Sequence, residues 1–281
     1  MDCELKDITV HYEMLGAGRP IIMLHGWSID HRHMMSDLEP VFEHRDGWKR
    51  IYLDLPGHGR TPGKDWITNQ DKMLDVVLDF IDNIISGQKF VVVGASAGAY
   101  LARGIVHHRM ATLDGLLLMV PLIVADDAIR CVPPHVTLVA DAALAVQLEP
   151  EEAEGLFQGA VVQSRKVVDY IRANFQSASE IGDLDFQAKI REYPKNYAFS
   201  FEIDALPQPF PAPTLIVTGR QDSWVGYHDA WEILDNYPRG TFAVLDRAGH
   251  FLGVEQEDLF HALVCEWLDR VEEYAGVSSR V

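Results

Sequence analysis

The chain has 281 residues, 48% hydrophobic and 23% charged, a size and balance that fit a globular enzyme built as one large domain or as a domain with an insertion. Acidic residues outnumber basic ones by 42 to 24, and the resulting charge of −18 repels phosphate backbones and anionic lipid, so neither nucleic acid nor a membrane is expected as a partner. No stretch is apolar and long enough to span a bilayer. In chain order, Ile8 to Met14 alternates apolar and polar residues, the pattern of an antiparallel strand with one wet face, and ends at the turn Gly16 to Pro20. Ile21 to Leu24, Ile51 to Leu53 and Phe90 to Val93 are unbroken apolar runs, which predict buried parallel strands. Asp71 to Ile85 sets Met73, Leu74, Val77, Leu78 and Ile81 at helical spacing before Gly87, which predicts a crossover helix. Ala99 to His108 continues as helix, and Leu116 to Val120 and Thr214 to Thr218 read as further buried strands.

Residues 121–213 separate those last two strands, whereas a crossover with its helix needs only about thirty residues. The surplus predicts a helical cap over 122–211 inserted into a core of 1–121 and 212–281. Within it, Val136 to Leu148, Glu151 to Gln158 and Ala160 to Phe175 have helical patterns, and the proline-rich run Leu206 to Pro213 returns the chain stiffly to the sheet. The aromatics Tyr170, Phe175, Tyr193, Tyr197, Phe199 and Phe201 either line an apolar pocket or pack the cap onto the core. Phe242 to Leu245 is the last strand and Leu259 to Tyr274 the closing helix. The expected fold class is α/β, a mostly parallel twisted sheet with helices on both faces.

Met1 to Asp7 has neither the basic head nor the apolar centre of a secretory signal, and Cys3, Cys131 and Cys265 are few and far apart. Free thiols in a reducing cytoplasm are therefore expected. The pairs His31 and His33, and His107 and His108, lack the separation that places two imidazoles on one helical face, so no metal is expected.

Ser96 stands in Gly94-Ala95-Ser96-Ala97-Gly98, directly after the Phe90 to Val93 strand and before a helix. Glycines two before and two after the serine permit a sharp strand-to-helix turn that presents its hydroxyl at the carboxyl end of the sheet, a nucleophile elbow. A serine hydroxyl needs a neighbouring base held by a buried carboxylate. Asp222 follows the Thr214 to Thr218 strand and His250 follows Phe242 to Leu245, and parallel strands bring such residues to one rim. Singly, Asp222 could be a turn residue and His250 a loop histidine; their joint order points to catalysis. An acyl transfer also needs two N–H donors for the oxyanion. Ala97 supplies one, and Trp27, in the loop His25-Gly26-Trp27-Ser28, the other, with His25 bracing that loop.

His25-Gly26-Trp27, Asp54-Leu55-Pro56-Gly57-His58-Gly59, Gly94 to Gly98, Gly219-Arg220-Gln221-Asp222 and Gly249-His250 occur in an order, and over nearly the whole length, that resembles the α/β-hydrolase fold superfamily in its capped, esterase-like subgroup. The resemblance implies a cofactor-free Ser96, His250 and Asp222 triad that cleaves a small carboxylic ester through an acyl-enzyme. It makes Asp54 to Arg60 a structural loop and permits Asp126 or Asp127 as an alternative acid. It also allows the same triad to cleave a carbon–carbon bond of a diketone-like substrate or to transfer the acyl group, and it includes relatives that only bind ligands. Ala95 and Ala97 are smaller than the residues many relatives place beside the serine, which leaves unusual space there.

Overall fold

β-branched and aliphatic runs become the middle of a single sheet. The computed structural model describes residues 1–278, and its eight strands are β1 (Asp2–Glu4), β2 (Thr9–Leu15), β3 (Arg19–Leu24), β4 (Trp48–Leu53), β5 (Phe90–Ala95), β6 (Leu113–Met119), β7 (Thr214–Gly219) and β8 (Gly240–Leu245). They lie in the order β1-β2-β4-β3-β5-β6-β7-β8. β1 and β2 pair antiparallel with each other, as do β2 and β4, whereas every pairing from β4 to β8 is parallel. All residues of β5, β6 and β7 are buried, as their near-continuous apolar sequences require when helices cover both faces.

The covering helices are α1 (His31–Phe42), α2 (Gln70–Ile84) and α3 (Ala97–Arg109) in the first half of the chain. The sequence reading anticipated α2 and α3 but not α1, whose start is polar and histidine-rich and which contains Pro40. Its buried stripe is nevertheless Met34, Leu38, Val41 and Phe42, and the Asp30 carboxylate caps it by accepting from Arg32 N–H. Asn69 caps α2 in the same way.

Between β6 and β7 the chain forms the short helices α4 (Ala142–Ala145), α5 (Pro150–Gly159) and α6 (Arg165–Ile171), a π-helical turn at Arg172–Gln176, then α7 (Ser177–Ser179), α8 (Leu184–Arg191) and α9 (Pro194–Tyr197). Here two expectations need correcting. Val136 to Leu148 is not one helix: Val139 bridges Val162 in parallel, and both Leu138 N–H and Val139 N–H donate to Val161 O. Val136, Thr137 and Val139 are β-branched, which favours extended backbone over helix. The helix expected from Ala160 starts only at Arg165, where Ser164 caps it, because residues 160–163 serve that bridge. A second small core of Leu144, Val167, Val168, Tyr170 and Ile171 closes around Phe251. Phe199 ties the segment to α3, stacking on Tyr100 at 4.6 Å and donating its N–H to the Tyr100 hydroxyl.

After β7 come α10 (His228–Glu232), α11 (Leu252–Glu255) and α12 (Glu257–Ser278). α12 lies under the sheet, where fully buried Trp267 donates its indole N–H to Pro213 O at 3.1 Å.

Candidate active site

The strand β5 stops and the helix α3 begins at one residue, Ser96, whose backbone is at φ 52° and ψ −116°. A non-glycine residue at positive φ is strained by about 1–3 kcal/mol and persists only when its surroundings over-determine it. They do so here. Ser96 N–H donates to Met119 O, and Ser96 O accepts from the N–H groups of Ala99, Tyr100 and Leu122. Neither flanking glycine can carry a side chain. A Cβ on Gly94 would lie 2.3 Å from Gly98 O, and one on Gly98 would lie 2.2 Å from Leu24 O. The close strand-to-helix approach thus dictates both residues.

Asp222 and His250 leave the same rim from β7 and β8. The Asp222 carboxylate is fully buried; Oδ1 accepts from Trp224 N–H at 2.9 Å and Val225 N–H at 3.1 Å, and Oδ2 accepts from His250 Nδ1 at 2.9 Å. With Nδ1 protonated against the carboxylate, Nε2 is the nitrogen left to take a proton from a substrate or nucleophile. The indole of Trp224 lies 4.7 Å from the imidazole and shelters it. Ser96 and His250 both line one cavity of about 480 Å³, together with Gly26, Trp27, Phe175, Tyr197 and Trp224. Trp27 therefore reaches the cavity, and Ala97, the residue after Ser96, is buried. Of the six aromatics singled out in the inserted segment, only Phe175 and Tyr197 line the cavity.

The loops around the rim are braced by buried histidines. His25 donates from Nδ1 to Gly26 O at 2.7 Å and accepts Leu55 N–H on Nε2, and complete burial lowers its pKa and keeps it neutral. His58 donates to Pro56 O and is held down to about 3 by burial and by the neighbouring His25. Burial pushes Asp54 up, but the hydrogen bonds it accepts, from His31 first and from Arg60 N–H, bring it to about 2. Asp54 and His58 thus serve the loop after β4. Asp126 caps a turn by accepting Ala128 N–H, and Asp127 lines the cavity. His250 is bonded to Asp222 instead.

Three features escape the sequence reading. His33, on α1, lines the cavity and is held at about 3 chiefly by burial. Its Nε2 lies 3.5 Å from Asp37, whose carboxyl burial pushes up to about 7 even though it accepts the Tyr170 hydroxyl proton. Only the spacing of four between His33 and Asp37 on a helix could have shown this pair. Second, Glu255 accepts from Val161 N–H, Val162 N–H and Gly249 N–H, so one carboxylate ties the His250 loop to the inserted segment. Third, Arg130 and Arg191 place two guanidinium groups in the cavity wall, beside the carboxylate of Asp127. Arg130 donates to the carbonyls of Val124, Ala125 and Trp224, and Arg191 lies 3.8 Å from Asp127.

A serine elbow, an aspartate-held histidine and a shared cavity at the carboxyl rim of a parallel sheet define a class of enzyme, and the family model described as the alpha/beta hydrolase family matches residues 21–263: the chain belongs to that family. It has the α/β-hydrolase fold, and its relatives include esterases. It is 24% identical to the pimeloyl-[acyl-carrier protein] methyl ester esterase of Legionella pneumophila (strain Corby), over 93% of this chain and 100% of the relative. It is also 22% identical to the 2-hydroxy-6-oxononadienedioate/2-hydroxy-6-oxononatrienedioate hydrolase 2 of Pseudomonas putida, over 93% and 92% of the two chains. Among solved structures, an alpha/beta superfamily hydrolase from Oenococcus oeni PSU-1 superimposes with a TM-score of 0.86 at 26% identity, covering 97% of this chain and 99% of that one.

Proposed function

We propose that the protein hydrolyses a small carboxylic ester through an acyl-enzyme formed on Ser96. The observation that carries this reading is the 2.9 Å bond between His250 Nδ1 and buried Asp222, with Ser96 on the wall of the same cavity. In the first step Ser96 Oγ attacks the ester carbonyl while His250 Nε2 takes its proton, and Asp222 stabilises the imidazolium. The tetrahedral oxyanion is received by the N–H groups of Trp27 and Ala97, two donors of the kind whose removal costs about 10²–10³-fold in turnover. His250 returns the proton to the departing alcohol, and water then releases the acid by the same steps. Residues 122–211 act as a cap that closes the acyl side of the cavity. Free Cys3, Cys131 and Cys265 support a reducing, cytoplasmic setting.

The test is turnover of a graded panel of aryl and methyl esters by wild type and Ser96→Ala, with labelling by a fluorophosphonate. Wild type should label at Ser96, and the variant should lose about 10⁴–10⁶-fold in kcat with an unchanged melting temperature. Equal turnover by the two proteins refutes the assignment. A second reading, hydrolysis of a carbon–carbon bond next to a ketone, is favoured by the two guanidinium groups in the cavity wall, which suit an acidic substrate like the one named for the Pseudomonas putida relative. Vinylogous diketone acids turned over faster than every ester in the panel would select it.

A further inference from the structure

Outside the cavity, two imidazoles and a carboxylate meet where β2 runs beside the carboxyl end of β4. His11 and Glu13 are two apart on β2 and so share a face, and His31 is the first residue of α1. One donor atom of each lies within 4.8 Å of the other two. Both imidazoles are held the same way. His11 Nδ1 donates to Asp2 Oδ1 at 2.9 Å, and His31 Nδ1 donates to Asp54 Oδ1 at 2.8 Å. That fixes each tautomer and leaves each Nε2 as a lone-pair donor, the arrangement by which carboxylates orient metal-ligating histidines. His11 Nε2 is buried and, among the described residues, has no hydrogen-bond partner; Glu13 Oε1 stands 3.7 Å away, too far for a hydrogen bond. Two ligands of a tetrahedral ion with bonds of about 2.0–2.1 Å are roughly 3.4 Å apart, so the pair needs to close by only a few tenths of an ångström.

We propose that His11, Glu13 and His31 bind a divalent transition-metal ion, with zinc the best match to two imidazoles and one carboxylate. The adjoining group Asp30, His31 and Asp54 is a poorer candidate, because Asp30 is committed to Arg32 and both Asp54 oxygens already accept N–H groups. The metal would displace the Met1 ammonium, now 3.8 Å from Glu13 Oε1, as the positive partner of that carboxylate. It would clip β2, near the edge of the sheet, to the start of α1, and so act on stability rather than on the ester chemistry.

The spacing rule applied to the sequence looked for two histidines on one helix and so could not see a set drawn from a strand and a helix start. The experiment uses full-length protein stripped with a chelator and titrated with zinc chloride, followed by calorimetry and thermal melts, with cobalt(II) as an optical probe. One equivalent should bind and raise the melting temperature by several degrees, and cobalt should give tetrahedral visible absorption bands. His11→Gln and Glu13→Gln, both on β2, should each weaken binding at least tenfold while melting like the stripped wild type. Asp2→Ala, which frees only the imidazole's orientation, should weaken it about tenfold. No stoichiometric binding to wild type, or unchanged binding in His11→Gln, overturns the assignment. Ester turnover should be the same with and without zinc, so this result stands or falls separately from the serine chemistry.

Discussion

The carboxyl rim of the sheet and the segment inserted between β6 and β7 hold their side chains in different ways. At the rim, hydrogen bonds to the backbone do the holding: Ser96 donates one and accepts three from peptide groups, and Asp222 accepts from two amides and His250. In the inserted segment the helices are short, α4 and α9 having four residues each, and the reach into the cavity is made by the long or flat side chains of Phe175, Arg191 and Tyr197. The difference suits the proposed chemistry. Covalent chemistry loses orders of magnitude for displacements near 1 Å, so groups proposed to react belong on over-determined backbone, whereas a pocket wall tolerates side chains with several torsions. Glu255 joins the two regions through three N–H bonds.

Variants can break or sharpen this contrast. The largest effect should come from the rim. Asp222→Asn keeps acceptors for Trp224 and Val225 N–H but turns an NH₂ toward His250, forcing the wrong tautomer; kcat should fall by about 10³–10⁴-fold while the melting curve barely moves. A drop below tenfold would show that His250 is not the proton acceptor proposed for the reaction. A smaller and selective effect is expected from the cavity wall. Arg130→Gln should lower kcat/KM about 10–100-fold for an ester whose acyl chain ends in a carboxylate and change a neutral ester of equal length by less than threefold. Equal losses on both esters would mean that Arg130 only pins the Val124 and Ala125 carbonyls.

The smallest effect concerns stability at the seam between α1 and α6. Asp37 has an ordinary value of 3.8 and is pushed up to about 7 by burial, so in the folded state it keeps a proton that the unfolded chain releases. Its contribution to stability is full below about pH 4 and is lost as pH rises toward 7. The melting-temperature advantage of Asp37→Asn over wild type should therefore widen from pH 4 to pH 7 and then level off. A constant difference would show that Asp37 is ionised in the folded protein.

Much of the sheet could be read from the chain, because buried parallel strands require continuous runs such as Phe90 to Val93 and Leu116 to Val120. The same reading failed at α1, where Pro40 and three polar starting residues mask the Met34, Leu38 and Val41 stripe. It failed again at Val136 to Val139, where a bridge to Val162 outweighs local helical pattern. For the site, Ser96, Asp222, His250 and Trp27 could be named from the turn chemistry and strand order around them. His33, Glu255, Arg130 and the His11, Glu13 and His31 set could not, since each takes its meaning from partners on other elements.

The chain alone determined which strands are buried, where the backbone must turn through Gly94 and Gly98, and which residues end up beyond the strands that follow Ser96. Tertiary structure decided the rest: which nitrogen of each histidine is free, which carboxyl groups burial pushes up, and which guanidinium groups face the cavity. Hydrophobic period acts between near neighbours along the chain, whereas desolvation, hydrogen-bond pairing and the contact of Gly98 with Leu24 depend on groups brought together from distant positions.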